Sequence, residues 1–451
     1  MNEPHPPGSE PTTDEPEVSR FSLWFLRGAL VVATLVVFGF LAQAVVSLLD
    51  DDDDGDETVA DLLATTTTTE AAVATDAGGD DEADGDADAS TTTTAAPEST
   101  TTTEALDEQA ELDAFVDEAI TFIEDIRERE FLERPLVELV DVDTMTQIVL
   151  DDIEADLAGD PEGSAESLAF ARAIGFFEPD ADFLDVYEVF VSGGVLGVYF
   201  PTSDRLLVRS DGELTLSAKA TVVHELVHAF DDQHFDLDRV ELGSDSDASW
   251  AFIAAVEGSA SYVEDLWRDS LSAEEQRALD REEASFEAGD IFSLDFGFLI
   301  YQTSVYEYGQ TWLERRIETE GVAAIDDAVI NGAPSSEVVI EPLDSPALDI
   351  VSVAAPEVDG DVIWQGDGGQ ALIDALLFTT DFTREAARGW GGDAITVYAD
   401  AADRACLRWD IAMDSAADRD ELVTALDPWA REVGADVNLV GDLVRVDRCA
   451  G

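Results

Sequence analysis

Positively charged residues are scarce in this sequence. Its 451 residues include 102 aspartates and glutamates but only 23 lysines and arginines, so the net charge is −79, and Lys219 is the only lysine. Such an acidic surface repels phosphate backbones and anionic lipid headgroups, and we therefore expect no nucleic acid partner. The acid is typical of a solvating, salt-adapted surface, while the 45% hydrophobic fraction is enough for a sizeable core.

Cysteine is almost absent as well, since only Cys406 and Cys449 occur. In an exported domain the two cysteines would pair and close a loop near the C-terminus. Otherwise they would be free, buried thiols. The sequence leaves both alternatives open, and export favours the disulfide.

Long hydrophobic runs are limited to one, near the N-terminus. Residues 28–49 carry no charge, and at about 1.5 Å per residue a helix of this length crosses a hydrocarbon core of about 30 Å. Arg20 and Arg27 precede the run, and five aspartates at 50–54 follow it. Because positive charge stays on the cytoplasmic side, we predict that residues 21–49 form a transmembrane signal-anchor helix with the N-terminus in the cytoplasm.

This span determines the predicted domain organisation. Residues 1–20 are predicted to be a disordered cytoplasmic tail, residues 50–104 a low-complexity Asp- and Thr-rich extracellular stalk, and residues 105–451 an extracellular domain. The rival hypothesis is a cleaved signal peptide, for which the Ala-Gln-Ala sequence at 42–44 offers a small-residue cleavage site. The apolar run is long for a signal peptide, which favours a single-pass anchor in the cell membrane.

The extracellular domain is predicted to be α+β and mainly helical. Residues 105–130 have apolar side chains every three or four positions, as in an amphipathic helix. The segments 197–200 (GVYF) and 205–209 (RLLVR) flank the turn sequence PTSD, which predicts a β-hairpin. A helix with Ser217 as its N-cap follows, and residues 248–270 form a second long helix.

Histidine is also rare, yet three of the four histidines in the chain lie within one short run. The sequence HELVH contains His224, Glu225 and His228 in the pattern H-E-x-x-H. Residues four apart share one face of a helix, so both imidazoles can bind one Zn²⁺ ion while Glu225 accepts a proton from the attacking water. The apolar neighbours predict a buried helix, in which unligated histidines beside a glutamate would be costly.

A catalytic zinc site needs a third protein ligand, and the sequence offers two candidates. His234 has the H-E-x-x-H-x-x-G-x-x-H spacing, but Asp231 occupies the position where that pattern has a glycine to turn the chain. Glu257 lies on the second long helix among small residues that permit close helix packing. An acidic residue in so apolar a stretch needs a partner, and we therefore favour Glu257 over His234.

Other residues have possible supporting roles at this site. Asp232 or Glu264 could orient a ligating imidazole, as histidine ligands usually require. Tyr306 or Tyr308 could donate a hydrogen bond to a developing oxyanion. The alternative for both tyrosines is that they are ordinary core aromatics.

HELVHAFDDQHFDL (224–237) followed by VEGSASYVED (256–265) resembles the gluzincin zinc metallopeptidases. The resemblance is strongest to exported and membrane-anchored microbial surface proteins with HELxHAxxDQ and EGxA motifs, and it covers most of residues 105–451. It implies a zincin-like fold in which His224, His228 and Glu257 bind zinc and Glu225 is the base. It also implies that a peptide or protein substrate lies along an edge strand beside the zinc helix, for which RLLVR is the candidate.

The sequence therefore predicts a membrane-anchored extracellular zinc metallopeptidase. Two alternatives belong to other classes of protein. One is a surface protein that keeps the zinc but has lost turnover, and the other is a metal-free, stalked adhesion or structural module. Glu225 argues against the first alternative, because a purely structural zinc site needs no base and usually has four protein ligands.

Overall fold

The described part of the chain folds as an α+β structure that is mainly helical. A computed structural model describes residues 101–210, 214–237, 246–286, 289–341, 350–381 and 384–451. The predicted tail, transmembrane helix and nearly all of the stalk lie outside these residues. Within the described part, no helix is long and apolar enough to cross a membrane.

The helices and strands alternate irregularly along the described residues. The α-helices are α1 (Thr101–Arg127), α2 (Val142–Gly159), α3 (Pro161–Ile174), α4 (Phe183–Gly194), α5 (Leu216–Phe235), α6 (Ser246–Ser270), α7 (Ala273–Glu283), α8 (Phe296–Glu320), α9 (Ala323–Asn331), α10 (Ser336–Ile340), α11 (Gly369–Asp381) and α12 (Ala416–Val433). The strands are β1 (Leu136–Val140), β2 (Gly197–Phe200), β3 (Arg205–Arg209), β4 (Asp361–Gly366), β5 (Trp390–Ala399), β6 (Ala405–Met413), β7 (Asp436–Val440) and β8 (Leu443–Cys449). Short 3₁₀ helices occupy Ile291–Ser293 and Glu385–Ala387.

A three-stranded sheet in the order β1-β3-β2 precedes α5. Strands β2 and β3 form the predicted hairpin, and β1 pairs with β3 in parallel, with Glu138 opposite Leu207. The prediction that RLLVR is an edge strand is therefore wrong, because β3 is hydrogen-bonded on both sides. The parallel partner comes from far upstream in the chain, where no local pattern reveals it. Strand β2 forms the edge that lies beside α5.

The C-terminal region contains a five-stranded antiparallel sheet in the order β4-β5-β6-β8-β7. A disulfide joins Cys406 of β6 to Cys449 of β8, at positions directly opposite in the register. Of the two alternatives that the sequence leaves open, the structure thus shows the disulfide. Asp410 and Arg445 form a second link between the same strands, through two contacts of 2.6 Å.

The helices that carry the HELVH sequence and Glu257 begin slightly earlier than predicted. Thr215, not Ser217, is the N-cap of α5, because its side chain accepts a hydrogen bond from the Ala218 amide at 3.1 Å. Helix α5 continues without a break to Phe235 and ends at Asp236, whose φ of 58° is left-handed. Because the helix is unbroken past Asp231, His234 lies on a different side of α5 from His228.

Helices α6 and α8 approach so closely that their backbones touch. The contact depends on Gly258 of α6 and Gly309 of α8, since a Cβ atom at Gly309 would overlap the carbonyl oxygen of Ala254. Only glycine permits this separation of the two helices. The crossing brings Tyr306, one turn before Gly309 on α8, against the segment of α6 that carries Glu257.

Candidate metal centre

Helix α5 provides three of the four principal side chains of the site. His224, Glu225 and His228 are all buried, with exposed fractions of 1%, 0% and 0%. The burial follows from the surroundings of α5, since apolar side chains at Val222, Val223 and Leu226–Val227 are also inaccessible. The two imidazole rings lie 4.8 Å apart, as expected for positions one helical turn apart.

Glu257 enters from α6 and completes a three-residue group. Its Oε2 atom lies 3.2 Å from His224 Nε2 and 3.5 Å from His228 Nε2. The donor atoms of the three residues all lie within 4.8 Å of one another. In a tetrahedral site with zinc bonds of about 2.1 Å, neighbouring ligand atoms are about 3.4 Å apart. The two separations that involve Glu257 match that spacing without any movement of the helices.

The hydrogen bonding of His228 also fits a metal ligand. Its imidazole is fully buried, and within the described residues Nδ1 has no hydrogen-bond partner while Nε2 has only the long contact to Glu257 Oε2 at 3.5 Å. Leaving such atoms unsatisfied is costly, so they normally have a partner. A divalent cation between the two histidines and Glu257 would supply one for Nε2. The donor set of two imidazoles and one carboxylate is one that Zn²⁺ prefers.

Two charged residues of α6 fix the orientation of the His224 ring through its Nδ1 atom. Glu264, two turns after Glu257 on α6, contacts His224 Nδ1 at 2.9 Å and pairs with Arg268 at 2.7 Å. Burial would raise the pKa of Glu264, but Arg268 and His224 lower it to about 2. The charged carboxylate therefore fixes His224 with Nε2 directed to Glu257. Of the two residues considered for orienting an imidazole, Glu264 is the one that contacts His224.

The electrostatics of the three donors reflect their mutual contacts. Burial lowers the pKa of His224, but Glu257 and Glu264 outweigh it and raise the pKa to about 10. Burial raises the pKa of Glu257, and the two histidines reverse the shift, so that its pKa is lowered. Burial also lowers the pKa of His228. Two buried carboxylates around one imidazole thus form a pocket that favours positive charge.

The side chain of Glu225 packs against Gly197, the first residue of strand β2. A Cβ atom at Gly197 would come within 2.8 Å of Glu225 Oε1 and would overlap the Thr221 side chain. The absence of a side chain at position 197 leaves the space that Glu225 occupies. Sequence reasoning missed this role of Gly197, because nothing in the hairpin pattern distinguishes a glycine that packs against a distant helix.

The two tyrosine candidates have different positions. Tyr306 lies at the site, with its ring 6.0 Å from that of His224 and its hydroxyl in hydrogen-bond contact with Glu257. Burial, Glu257 and Glu225 raise its pKa well above the usual value, so the phenol keeps its proton and remains a donor. Tyr308 points elsewhere and donates to Asp374 at 2.9 Å. Tyr306 is therefore the remaining candidate for an oxyanion donor.

Two residues considered from the sequence lie outside the site. His234 Nε2 donates a hydrogen bond to the Glu130 carbonyl oxygen at 3.1 Å, because α5 stays helical and turns this residue away from His228. Asp232 accepts hydrogen bonds from the Tyr199 hydroxyl at 2.8 Å and the Leu237 amide at 2.8 Å. Of the two candidates for a third metal ligand, only Glu257 therefore lies beside His224 and His228.

Comparisons with known proteins concern a different region of the chain. A family model described as a domain of unknown function, DUF8575, matches residues 353–448, which include all of the five-stranded sheet except the last residue of β8. No curated protein matches the chain, and no solved structure matches it either. Helices α5, α6 and α8 lie outside the matched residues, so the candidate metal centre must be argued from its own geometry.

Proposed function

We propose that this protein is a zinc-dependent metallopeptidase of the gluzincin type. The observation that carries the proposal is the convergence of His224, His228 and Glu257 in one buried group, with Glu225 adjacent to His224. The wider proposal is an enzyme attached to the cell membrane by residues 21–49, with its catalytic domain outside the cell. Its substrate would be a peptide or protein.

The proposed reaction is hydrolysis of a peptide bond. Zinc, when bound by His224, His228 and Glu257, supplies Lewis acidity that acidifies water and polarises the scissile carbonyl. Glu225 accepts the proton of the attacking water and transfers it to the leaving nitrogen. The Tyr306 hydroxyl, kept protonated by its surroundings, donates a hydrogen bond to the oxygen on which negative charge develops.

Strand β2 is the proposed substrate-binding edge. It is the outer strand beside α5, and its first residue lies directly over Glu225. An extended peptide that adds to a sheet edge obtains main-chain hydrogen bonds along its length. The register of β2 would then place a peptide bond near Gly197 close to Glu225.

The burial of the site favours a second candidate function, a zinc-binding module without turnover. Glu225 has an exposed fraction of 0%, and each of the three proposed ligands is at most 1% exposed. A structural zinc site is closed to water, whereas a catalytic one keeps a position for water or substrate. The two functions predict the same metal content and differ in hydrolysis.

The test combines zinc content with peptide hydrolysis in the purified full-length chain. Elemental analysis of the wild type and of Glu225→Gln is expected to give one zinc per chain in both. Hydrolysis of a mixed peptide library, followed by mass spectrometry, is expected for the wild type alone, with a loss of about 10²–10⁴-fold in the variant. Zinc without hydrolysis would favour the second function, and absence of zinc after zinc is added back would overturn both.

A further inference from the structure

Arg127, the last residue of α1, is buried at the junction of the two helices that carry the proposed ligands. Its exposed fraction is 5%. Its guanidinium lies 2.6 Å from Asp231 Oδ1 and donates a hydrogen bond to Ser259 Oγ at 3.2 Å. Ser259 in turn donates to Asp231 Oδ2 at 2.6 Å. The three side chains form a polar cluster in which Asp231 and Ser259 are fully inaccessible to solvent.

The cluster lies close to the proposed ligands in both helices. Asp231 follows His228 by three residues on α5, and Ser259 follows Glu257 by two residues on α6. One guanidinium thus contacts both helices within one turn of a ligand. The same group stacks on the Phe230 ring at 4.7 Å, which fixes the plane of the guanidinium.

We propose that Arg127 is a positioning residue for the metal centre. By holding Asp231 and Ser259 together, it sets the separation of α5 and α6, and with it the distance from His228 to Glu257. The inference rests on the proposed function, since it assumes that these residues bind zinc. It also makes α1 an integral part of the site, so that a chain without this helix would bind zinc weakly.

Arginine suits this role better than lysine does. The planar guanidinium donates along several directions at once, and here it also contacts Asp326 of α9 at 2.8 Å. A lysine ammonium at the same position could keep the contact to one carboxylate, but it could not contact Asp231, Ser259 and Asp326 at the same time as the planar guanidinium does. If the ion pair were purely structural, substitution of Arg127 would lower only the stability of the fold. If Arg127 is a positioning residue, its substitution must also change the affinity for the metal.

The experiment compares zinc affinity with folding in the full-length chain. Zinc dissociation constants are measured by competition with a chromophoric chelator for the wild type, Arg127→Met and Arg127→Lys. The matched control is Arg134→Met. Arg134 is another arginine whose ion pair involves α1, since it contacts Asp117 of that helix, but its side chain is exposed. The visible absorption of bound Co²⁺ reports the ligand geometry independently of catalysis. All measurements are made below the unfolding temperature of each variant, as determined by circular dichroism.

We expect Arg127→Met to weaken zinc binding by at least tenfold and to change the Co²⁺ spectrum, with partial recovery in Arg127→Lys and no change in the control. A buried Asp231 without its partner could unfold the chain, so the double variant Arg127→Met, Asp231→Leu removes both charges. Weakened binding in this folded double variant supports the proposal. Wild-type affinity in the folded variants overturns the role of Arg127 alone, whereas a wild type that binds no zinc overturns the metal centre and the inference together.

Discussion

The candidate metal centre and the C-terminal region both bury carboxylates, but the pKa values of these carboxylates shift in opposite directions. In the metal centre, cationic neighbours outweigh burial, so the pKa of Glu257 is lowered and that of Glu264 falls to about 2. In the C-terminal region, burial dominates and raises the pKa of Asp374 and of Asp393 to about 7. The direction of the shift thus depends on whether the charged neighbours outweigh burial, since Arg384 also lowers the pKa of Asp374 but by less than burial raises it.

Asp393 illustrates the second kind of environment. It accepts hydrogen bonds from the backbone amides of Gly368 and Gly369 and from the indoles of Trp390 and Trp409, at 2.6–3.1 Å. These donors are neutral, and the nearby Asp367 raises its pKa further. The group therefore ties β5 to the start of α11 and to β6. Carboxylates of the candidate metal centre instead have lowered pKa values and stay charged, as the ligands of a cation would have to be.

The largest expected effect separates the two regions by metal content. Glu257→Ala removes one of three proposed ligands, so zinc in the purified chain should fall from about one ion to near zero. His234→Ala is the matched control, because His234 bonds a backbone carbonyl outside the site and should leave zinc unchanged. Elemental analysis decides the matter. Zinc lost from His234→Ala and kept in Glu257→Ala would reverse the assignment of the third ligand.

A second prediction concerns the stability of the C-terminal sheet. The Cys406–Cys449 disulfide closes a loop with a sequence separation of 43, and loss of a crosslink of that length costs about 4 kcal/mol in the chain-entropy account. Replacement of both cysteines by alanine should lower the unfolding free energy by up to that amount in denaturant titrations. Zinc content should stay at one ion per chain, and a parallel loss of zinc would contradict the independence of the two regions.

The comparison also indicates what the sequence could predict. Local signals were enough for the mixed fold class, the hairpin, the two long helices and the grouping of His224, His228 and Glu257. Helical spacing and the small residues around Glu257 carry that information. The cysteine pairing could be predicted only conditionally, because the choice depends on compartment.

Tertiary contacts supplied what local patterns could not. The parallel pairing of β1 with β3 made RLLVR a central strand, and no periodicity within the hairpin reveals a distant partner. The choice of Tyr306 over Tyr308 depends on the glycine crossing of α6 and α8. Arg127 and Gly197 act on the site across long stretches of chain, so their roles become visible only in three dimensions.

Glu264→Gln tests whether the proposed zinc site needs the negative charge of Glu264. Glu264→Gln can still contact His224 but loses the negative charge, so zinc should bind about 10–100-fold more weakly. Glu283→Gln is the matched control, since Glu283 is the other carboxylate that pairs with Arg268, at 2.7 Å. Chelator competition measures both variants. An equal weakening in both would mean that Arg268, not the charge on Glu264, controls the site.

The smallest expected effect is the change of the unfolding free energy with pH that comes from the C-terminal region. The folded-state pKa of Asp374, about 7, exceeds its ordinary value of 3.8. The folded state therefore binds more protons than the unfolded state between these two values, and the contribution to stability is complete below pH 3.8 and lost as the pH rises through 7. For this group alone, the unfolding free energy should fall by at most about 1.4 kcal/mol per pH unit.

Asp374→Asn isolates this contribution from the rest of the acidic chain. The amide oxygen can still accept the hydrogen bond from Tyr308, but the side chain no longer titrates. Unfolding free energies of the wild type and the variant, measured by denaturant titration from pH 4 to pH 8, should diverge in favour of the variant up to about pH 7 and then run parallel. Carboxylates of the metal centre have lowered pKa values, so their contribution is instead lost towards acid and affects both proteins equally. Profiles that stay parallel from pH 4 onwards would mean that Asp374 is charged throughout, and the contrast between the two regions would then not extend to this residue.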